Sequence, residues 1–400
     1  MKKELLNNLF ESYHNYTAYD IRSDFIKHNE VKVKLENLAG NNLFEIKQIG
    51  TSVERREIYS LKLGKGKTKI FVWTQMHGDE PTATAAFFDL LNFFSSNDSF
   101  NELRKSILDN LEVHFVPMVN PDGAERYQRE NAFNIDLNRD ALRLEADESK
   151  LLWNYAEKLK PEFGFNMHDQ NSYYTAGRTN NPASISLLTP PMDYVKSINY
   201  TREKSMQIII KIREALEQFI PNQIARYSDD FELRAFGDNF TRFGISTILI
   251  ESGFYRDDYN KDFVRKLNFT ALISAFESIV ESDYQKKFYA EYFAIPENNK
   301  LLFDLLLRNL TLEFNHRKFV VDIGINITKK LNRGKNEFYH EACIADIGDL
   351  SIFYGINEMN MNGYTIENHN ELKIDEPANF KIAQNGITKY EIINGLLKSL

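Results

Sequence analysis

Four short apolar runs, each leading to a residue able to do chemistry, most constrain how this chain can fold. Ile70-Phe71-Val72-Trp73 precedes His77, and Val113 to Val119 runs into Asn120-Pro121-Asp122-Gly123. Phe163-Gly164-Phe165-Asn166-Met167 runs into His168, and Thr247-Ile248-Leu249-Ile250 runs into Glu251. Runs of this length and apolarity read as strands buried on both faces. Between them the spacing turns helical. One helix opens at Pro81, a residue favoured at the first helical position, and continues through Ala85, Phe87 and Leu91. Two long helices are expected at about 197–219 and 261–282, the second carrying Phe263, Leu267, Ala271 and Phe276 on one core-facing stripe. Strand-like segments at 58–63 and 69–74 complete the alternation. The expected fold class is α/β, a mixed, mostly parallel sheet covered by helices on both faces. Ligands of such sheets bind beyond the carboxyl ends of the strands, so four chemistry-bearing ends converge on one crevice.

The string His77-Gly78-Asp79-Glu80, with His168 far downstream, has the makings of a metal site. A catalytic zinc takes three protein ligands, commonly two His and one Glu, and leaves its fourth position for water. His77, Glu80 and His168 offer that set. A His and a Glu three apart occur often by chance, so the strand-end placement of all three carries the reading. Glu251 follows four apolar residues, and a buried carboxylate needs a partner or a metal nearby. Among the remaining histidines, His14, His28, His316, His340 and His369 lie in polar segments and are expected at the surface. His114 alternates along its own strand and is expected to be packed or hydrogen-bonded.

Taken together, Gly50-Thr51-Ser52, His77 with Glu80, Asn120-Pro121-Asp122-Gly123, Asp136-Leu137-Asn138-Arg139, His168 and Leu249-Ile250-Glu251-Ser252-Gly253 resemble, in order and spacing, the M14-type zinc carboxypeptidases. The resemblance covers about residues 45 to 285, and the short stretch from Gly123 to Asn138 is that of a compact bacterial-type member. It implies that His77, Glu80 and His168 hold one zinc ion and that Glu251 takes a proton from the water at the metal. It implies that Asn138 and Arg139 hold a substrate's terminal carboxylate, a task suited to the planar fork of arginine. Asp136 matches a carboxylate that orients a ligand histidine, here His77. Arg129 matches the arginine that stabilises the oxyanion, with Arg126 three residues away as the competing assignment. Tyr227 is closest in spacing to the family's substrate-closing tyrosine.

One departure bears on specificity. Many animal digestive members have a basic residue where this chain has Asp79, so an acidic subsite favouring amine-bearing substrates, lysine-like or diaminopimelate-like, is one expectation. The other is that Asp79 hydrogen-bonds the local turn. The implied activity is that of a zinc metallocarboxypeptidase, a hydrolase acting on a peptide or small amino-acid amide. A zinc amidohydrolase that deacylates a small N-acyl amino acid would use the same metal and base. A non-catalytic peptide-binding relative is the third reading, and retention of Glu251 beside the ligand set argues against it.

Composition narrows the rest. A net charge of −8 and the lack of a basic stripe argue against nucleic acid or an anionic membrane as partner. A single cysteine, Cys343, excludes an intrachain disulfide framework and suits a reducing compartment. Met1-Lys2-Lys3 is followed by Glu4, Asn7, Asn8 and Glu11, which interrupt any signal-peptide core, and no apolar run of about eighteen residues is present; a cytoplasmic location is expected. Residues 1–45 read as a helical lead-in, with Leu5, Leu6, Leu9 and Phe10 on one side, that packs against the core of a catalytic domain spanning 1–290. Pro296-Glu297-Asn298-Asn299-Lys300 reads as a break. Beyond it, Leu310–Phe314, Phe319–Ile327 and Phe338–Ile347, with turn signals at Asn362-Gly363 and Asn385-Gly386, predict a smaller β-rich C-terminal domain over 296–400 of unknown role, a rigid lid or oligomer contact being favoured over ligand binding.

Overall fold

A computed structural model of the chain describes residues 1–332, 334–335, 337–367 and 372–399, so His369 lies outside the described residues. The chain forms two compact units, one of Met1–Asn171 with Ala183–Asn298 and one of Ser172–Pro182 with Asn299–Leu400. The division is not linear in sequence. Ser172–Pro182 clusters with the second unit, whereas the sequence reading carried 1–290 as one piece, and nothing local marks the excursion.

In chain order the elements to the end of the first unit are α1 (Lys3–Glu11), α2 (His28–Asn37), β1 (Phe44–Thr51), β2 (Glu57–Leu63), β3 (Thr68–Trp73), α3 (Thr82–Ser95), α4 (Asn101–Asn110), β4 (Leu111–Val116), α5 (Pro121–Arg126), α6 (Asp147–Leu159), β5 (Phe163–Asp169), β6 (Tyr174–Ala176, in the excursion), β7 (Ile185–Leu188), α7 (Tyr200–Leu216), β8 (Ile224–Arg226), α8 (Phe236–Arg242), β9 (Ser246–Ser252) and α9 (Asp262–Glu281). Its sheet runs β1-β2-β4-β3-β5-β9-β7-β8. The central pairs β4/β3, β3/β5 and β5/β9 are parallel, as is β7/β8, while β1/β2, β2/β4 and β7/β9 are antiparallel. The mixed sheet with helices and the separate β-rich C-terminal region match the fold class read from the sequence.

Period-two alternation sends successive side chains of each central strand to opposite faces. Val72, Phe165, Met167, Ile248 and Ile250 join the core that also holds Phe87, Leu91, Ile208, Leu272 and Phe276 of α3, α7 and α9. Phe71 and Trp73 join a second core with Leu152 of α6 and Phe236 and Phe240 of α8. Each of these aromatics is fully buried, a contribution of about 1.5–3 kcal/mol apiece relative to exposure. From β3 the chain crosses to β4 on one side, and β5 then takes the other side of β3. That reversal opens the crevice between β3 and β5.

The N-terminal lead-in is pinned by charge as well as by packing. Arg265 of α9 is buried, pairs with Asp89 of α3 at 2.5 and 2.7 Å, and donates to the carbonyls of Ala18 and Ile21; the Tyr13 hydroxyl donates to the same Asp89. Removing one partner from such a buried pair costs about 3–5 kcal/mol. His28 corrects the sequence reading, which put it at the surface. It is 8% exposed, with Nε2 2.8 Å from the carbonyl of Glu57. The reason is helical: His28, Val31 and Leu35 share one face of α2, and the two apolar residues carry the histidine inward. His114 sits between the Tyr155 hydroxyl at 2.7 Å and Glu112 at 3.0 Å. Asn120-Pro121-Asp122-Gly123 proves to be the start of α5, with Pro121 at its first position and the Asn120 side chain accepting the Gly123 N–H.

The second unit pairs β6 with β10 (Asn298–Lys300) and builds a larger sheet from β11 (Leu302–Phe314), β12 (Arg317–Asn332), β13 (Glu337–Gly348), β14 (Tyr354–Asn360), β15 (Thr365–Glu367), β16 (Phe380–Gln384), β17 (Ile387–Ile393) and β18 (Leu396–Ser399). Asn385-Gly386, both at positive φ, join β16 to β17, and Asn394-Gly395, a signal unread in the sequence, join β17 to β18 in the same way. Asn362-Gly363 makes a turn but no hairpin, because β14 and β15 both run parallel to β11. No helix among the described residues is long and apolar enough to cross a membrane.

Candidate active site

The motifs that are separate in sequence form one construction in space. Beyond β3, Val119 and Asn120 donate backbone N–H groups to the carbonyls of Thr74 and Gln75, which lays the start of α5 against the turn carrying His77 and Glu80. Gly78 makes this approach feasible: a Cβ there would lie 2.0 Å from the backbone carbon of Gly123. Asn120 Nδ2 donates to the carbonyl of Arg129 at 3.1 Å and so fixes where that arginine starts. Asp122, fully buried, accepts from the Ser52 hydroxyl, the Glu54 N–H and Arg56, tying the Gly50-Thr51-Ser52 string to α5.

His77 at the β3 turn and His168 at the end of β5 face each other across the crevice, ring centres 4.8 Å apart, with Glu80 between them. Glu80 Oε1 lies 2.8 Å from His77 Nδ1 and Oε2 lies 2.7 Å from His168 Nδ1. One ligand atom from each of the three falls within 4.8 Å of the other two, and all three residues are buried. Two imidazole nitrogens and a carboxylate oxygen, converging and shielded from water, fit a zinc ion by donor type. Asp136 Oδ1 lies 3.1 Å from His77 Nε2, so in the neutral ring, the form that ligates a metal, an Nε2–H donated to Asp136 leaves the Nδ1 lone pair turned toward Glu80 and His168. His168 has no such backing among the described residues, where its Nε2 is buried without a partner.

The electrostatics follow from this crowding. Burial disfavours the charged form of His77, but Glu80 and Asp136 outweigh it and hold the imidazole at about 9. Burial lowers His168, and Glu80 offsets part of that. Burial raises Glu80, yet the two imidazoles bring it well below the usual carboxylate range. Glu251 goes the other way. It stands in register with His168 on the neighbouring parallel strand β9, on the same face, and burial together with the charge of Glu80 pushes it up to about 8. A carboxyl raised to that degree beside a metal-type donor set is a candidate acid–base group.

Two arginines three residues apart separate cleanly. Arg129 reaches Asp136 at 3.0 Å and Glu80 at 3.2 Å, with Nη1 3.1 Å from His77 Nδ1, and remains partly exposed. Arg126 instead pairs with Glu54. Asn138 and Arg139 lie on a short 3-10 turn whose first N–H groups are capped by Asp136. Asn138 Oδ1 accepts the Phe236 N–H at the start of α8, which orients its amide so that only the NH2 group can serve an anion. Arg139 Nη1 donates to the Asn138 carbonyl at 2.7 Å, and its Nε lies 3.5 Å from Glu232. Asp79 is largely buried and pushed up to about 6 by burial and by Glu80; among the described residues its Oδ1 has no hydrogen-bond partner. Tyr227 follows β8, two strands from Glu251, with its N–H on the Leu187 carbonyl.

Some neighbours of the site escaped the sequence reading. Asp169 donates its N–H to Glu80 at 3.1 Å, while its side chain accepts from Thr82 at 2.5 Å and from Lys261 at 3.1 Å. Its place directly after His168 was the available signal. Lys261 and Glu232 lie in loops distant in sequence, where no local pattern points to them.

Known proteins resemble this chain in sequence and in fold. A family model described as zinc carboxypeptidase matches residues 33–212. Probable carboxypeptidase 2 of Trichophyton verrucosum is 26% identical over 191 residues, an alignment covering 46% of this chain and 34% of that protein. Human carboxypeptidase D is 26% identical over 136 residues, covering 29% of this chain and 10% of that protein. The chain thus spans about a third or less of the length of these curated relatives. In fold it is similar to a metallo-carboxypeptidase from Burkholderia cenocepacia, with a TM-score of 0.52 at 18% identity over 65% of this chain and 70% of that one. It is likewise similar to the carboxypeptidase A of Helicoverpa armigera, with a TM-score of 0.51 at 16% identity over 71% and 81%. Residues 33–212 thus resemble the zinc carboxypeptidase family, and the motifs and the sheet just described are consistent with that resemblance.

Proposed function

We propose that this chain is a zinc metallocarboxypeptidase that hydrolyses the amide bond next to a free terminal carboxylate in a peptide or small amino-acid amide. The observation that carries the reading is the convergence of His77, Glu80 and His168 with Glu251 in register beside His168. Held by His77, Glu80 and His168, a zinc ion supplies Lewis acidity to a carbonyl and makes water acidic enough to attack near neutral pH. Asp136 keeps the His77 ring in its ligating orientation. Glu251, in register with His168 on the neighbouring strand, removes a proton from the attacking water and returns it to the departing amine. Arg129, anchored on Asp136 and partly exposed, offers its guanidinium to the oxyanion. Arg139 and the Asn138 amide hold the terminal carboxylate and so select which amide reaches the site. Asp79 adds negative charge for an amine-bearing substrate, and Tyr227 closes over the bound residue. The lone Cys343 suits a cytoplasmic setting.

The test compares free-acid and C-terminally amidated peptides. Amidation removes the charge, so kcat/KM falls by on the order of 2–5 kcal/mol in barrier terms. Arg139→Ala imposes a similar loss on the free acid and little further loss on the amide, because both changes delete one interaction. Equal cleavage of free and amidated peptides by the unmodified enzyme would refute the clamp. A panel of peptides and N-acyl amino acids read by mass spectrometry separates this activity from deacylation.

A further inference from the structure

Glu232 faces the arginine assigned to the substrate's carboxylate. Its Oε2 lies 3.5 Å from Arg139 Nε, while Arg234 holds the same carboxylate through two bonds, Nε to Oε1 at 3.0 Å and Nη2 to Oε2 at 2.8 Å. One carboxylate is therefore shared between two guanidiniums, tightly by Arg234 and loosely by Arg139. The loop that carries it is anchored. Asp238 accepts the Glu232 N–H at 3.0 Å, the Arg234 carbonyl accepts the Ala141 N–H at 3.0 Å, and Asp229 is paired with buried Arg202 at 2.7 Å. The position of Glu232 is thus a built feature of the crevice wall beside Asn138 and Arg139.

We propose that Glu232 is a specificity-determining residue, an internal carboxylate that competes with the substrate's terminal carboxylate for Arg139, with Arg234 as the counter-cation to which it withdraws. The proposal rests on the reading of Arg139 as the carboxylate clamp. Two carboxylates at one guanidinium repel unless one has another cation to neutralise it. Glu232 has that cation already in place, so it gives up only a long ion pair when a substrate arrives. The balance between Arg139 and Arg234 then sets how readily a free acid is bound.

This arrangement predicts changes of opposite sign. Glu232→Gln removes the competing charge and keeps the shape, so KM for a free-acid peptide falls about two- to fivefold, the scale of a solvent-exposed ion pair, with kcat unchanged. Arg234→Met deprives Glu232 of its alternative partner and concentrates it on Arg139, so KM for the same peptide rises by a similar factor. Neither variant alters kcat/KM for the amidated peptide. Both positions are solvent-accessible and outside the cores, and thermal melts of the zinc-loaded full chain confirm that the variants are folded. A merely structural role moves both variants in one direction and affects both substrates. If the wild-type enzyme discriminates free from amidated peptides but both variants leave KM unchanged or shift it the same way, the competition proposal is overturned while the clamp stands. If the wild type fails to discriminate, the clamp itself falls and the proposal with it.

Discussion

Glu251→Gln should produce an enzyme that is more stable and nearly inactive, and the structure sets the size of the stability effect. Glu251 is 9% exposed, and in the metal-free fold burial and the charge of Glu80 push it up to about 8, from the usual carboxylate value near 4.5. A group whose proton affinity is raised by folding contributes fully below its unfolded pKa, and that contribution is lost as pH rises through its folded pKa. The loss therefore falls between about pH 4.5 and pH 8. At 1.36 kcal/mol per unit, the carboxyl costs the fold about 3 kcal/mol by pH 7. Glutamine carries no charge and escapes that cost, so the metal-free variant melts with the wild type near pH 5 and several degrees above it at pH 8. Zinc narrows the gap, because the cation compensates the carboxylate. Turnover of the zinc-loaded variant drops by at least about a hundredfold, with zinc content unchanged, if Glu251 handles the proton. Calorimetry of both proteins at the two pH values, with elemental analysis and steady-state kinetics, makes the check. Coincident melting at pH 8 would refute the burial argument, and near wild-type turnover would refute the acid–base role.

His77→Ala and His168→Ala each lose zinc on dialysis, as read by elemental analysis, and full occupancy in either overturns the ligand assignment. Gly78→Ala drives a Cβ into the Gly123 backbone and separates the turn from α5, so the melting temperature falls and zinc binds more weakly; a wild-type melt overturns that packing argument. Asp79→Asn lowers the ratio of kcat/KM for peptides ending in basic residues to those ending in acidic ones, and an unchanged ratio leaves Asp79 as a residue of the turn alone.

Sequence determined what depends on neighbours along the chain. Buried strands announce themselves by apolar runs, helices by their period, and the β3, β5 and β9 ends by the His and Glu residues placed there, because each of these is a property of a few consecutive residues. The fold class and the Asn385-Gly386 hairpin were legible for that reason. Tertiary structure decided everything that depends on which distant group stands opposite. Only the pairing of Arg126 with Glu54 and of Arg129 with Asp136 tells the two arginines apart. His28 is buried because α2 turns its Val31–Leu35 face inward, and Ser172–Pro182 leaves the first unit through a change of partners that its composition does not signal. Glu232 beside Arg139, and Lys261 behind Asp169, join positions 93 and 92 residues apart in the chain. Coulomb energy and desolvation depend on distance in space and on exclusion of water, and neither exists until the sheet has brought its strand ends together.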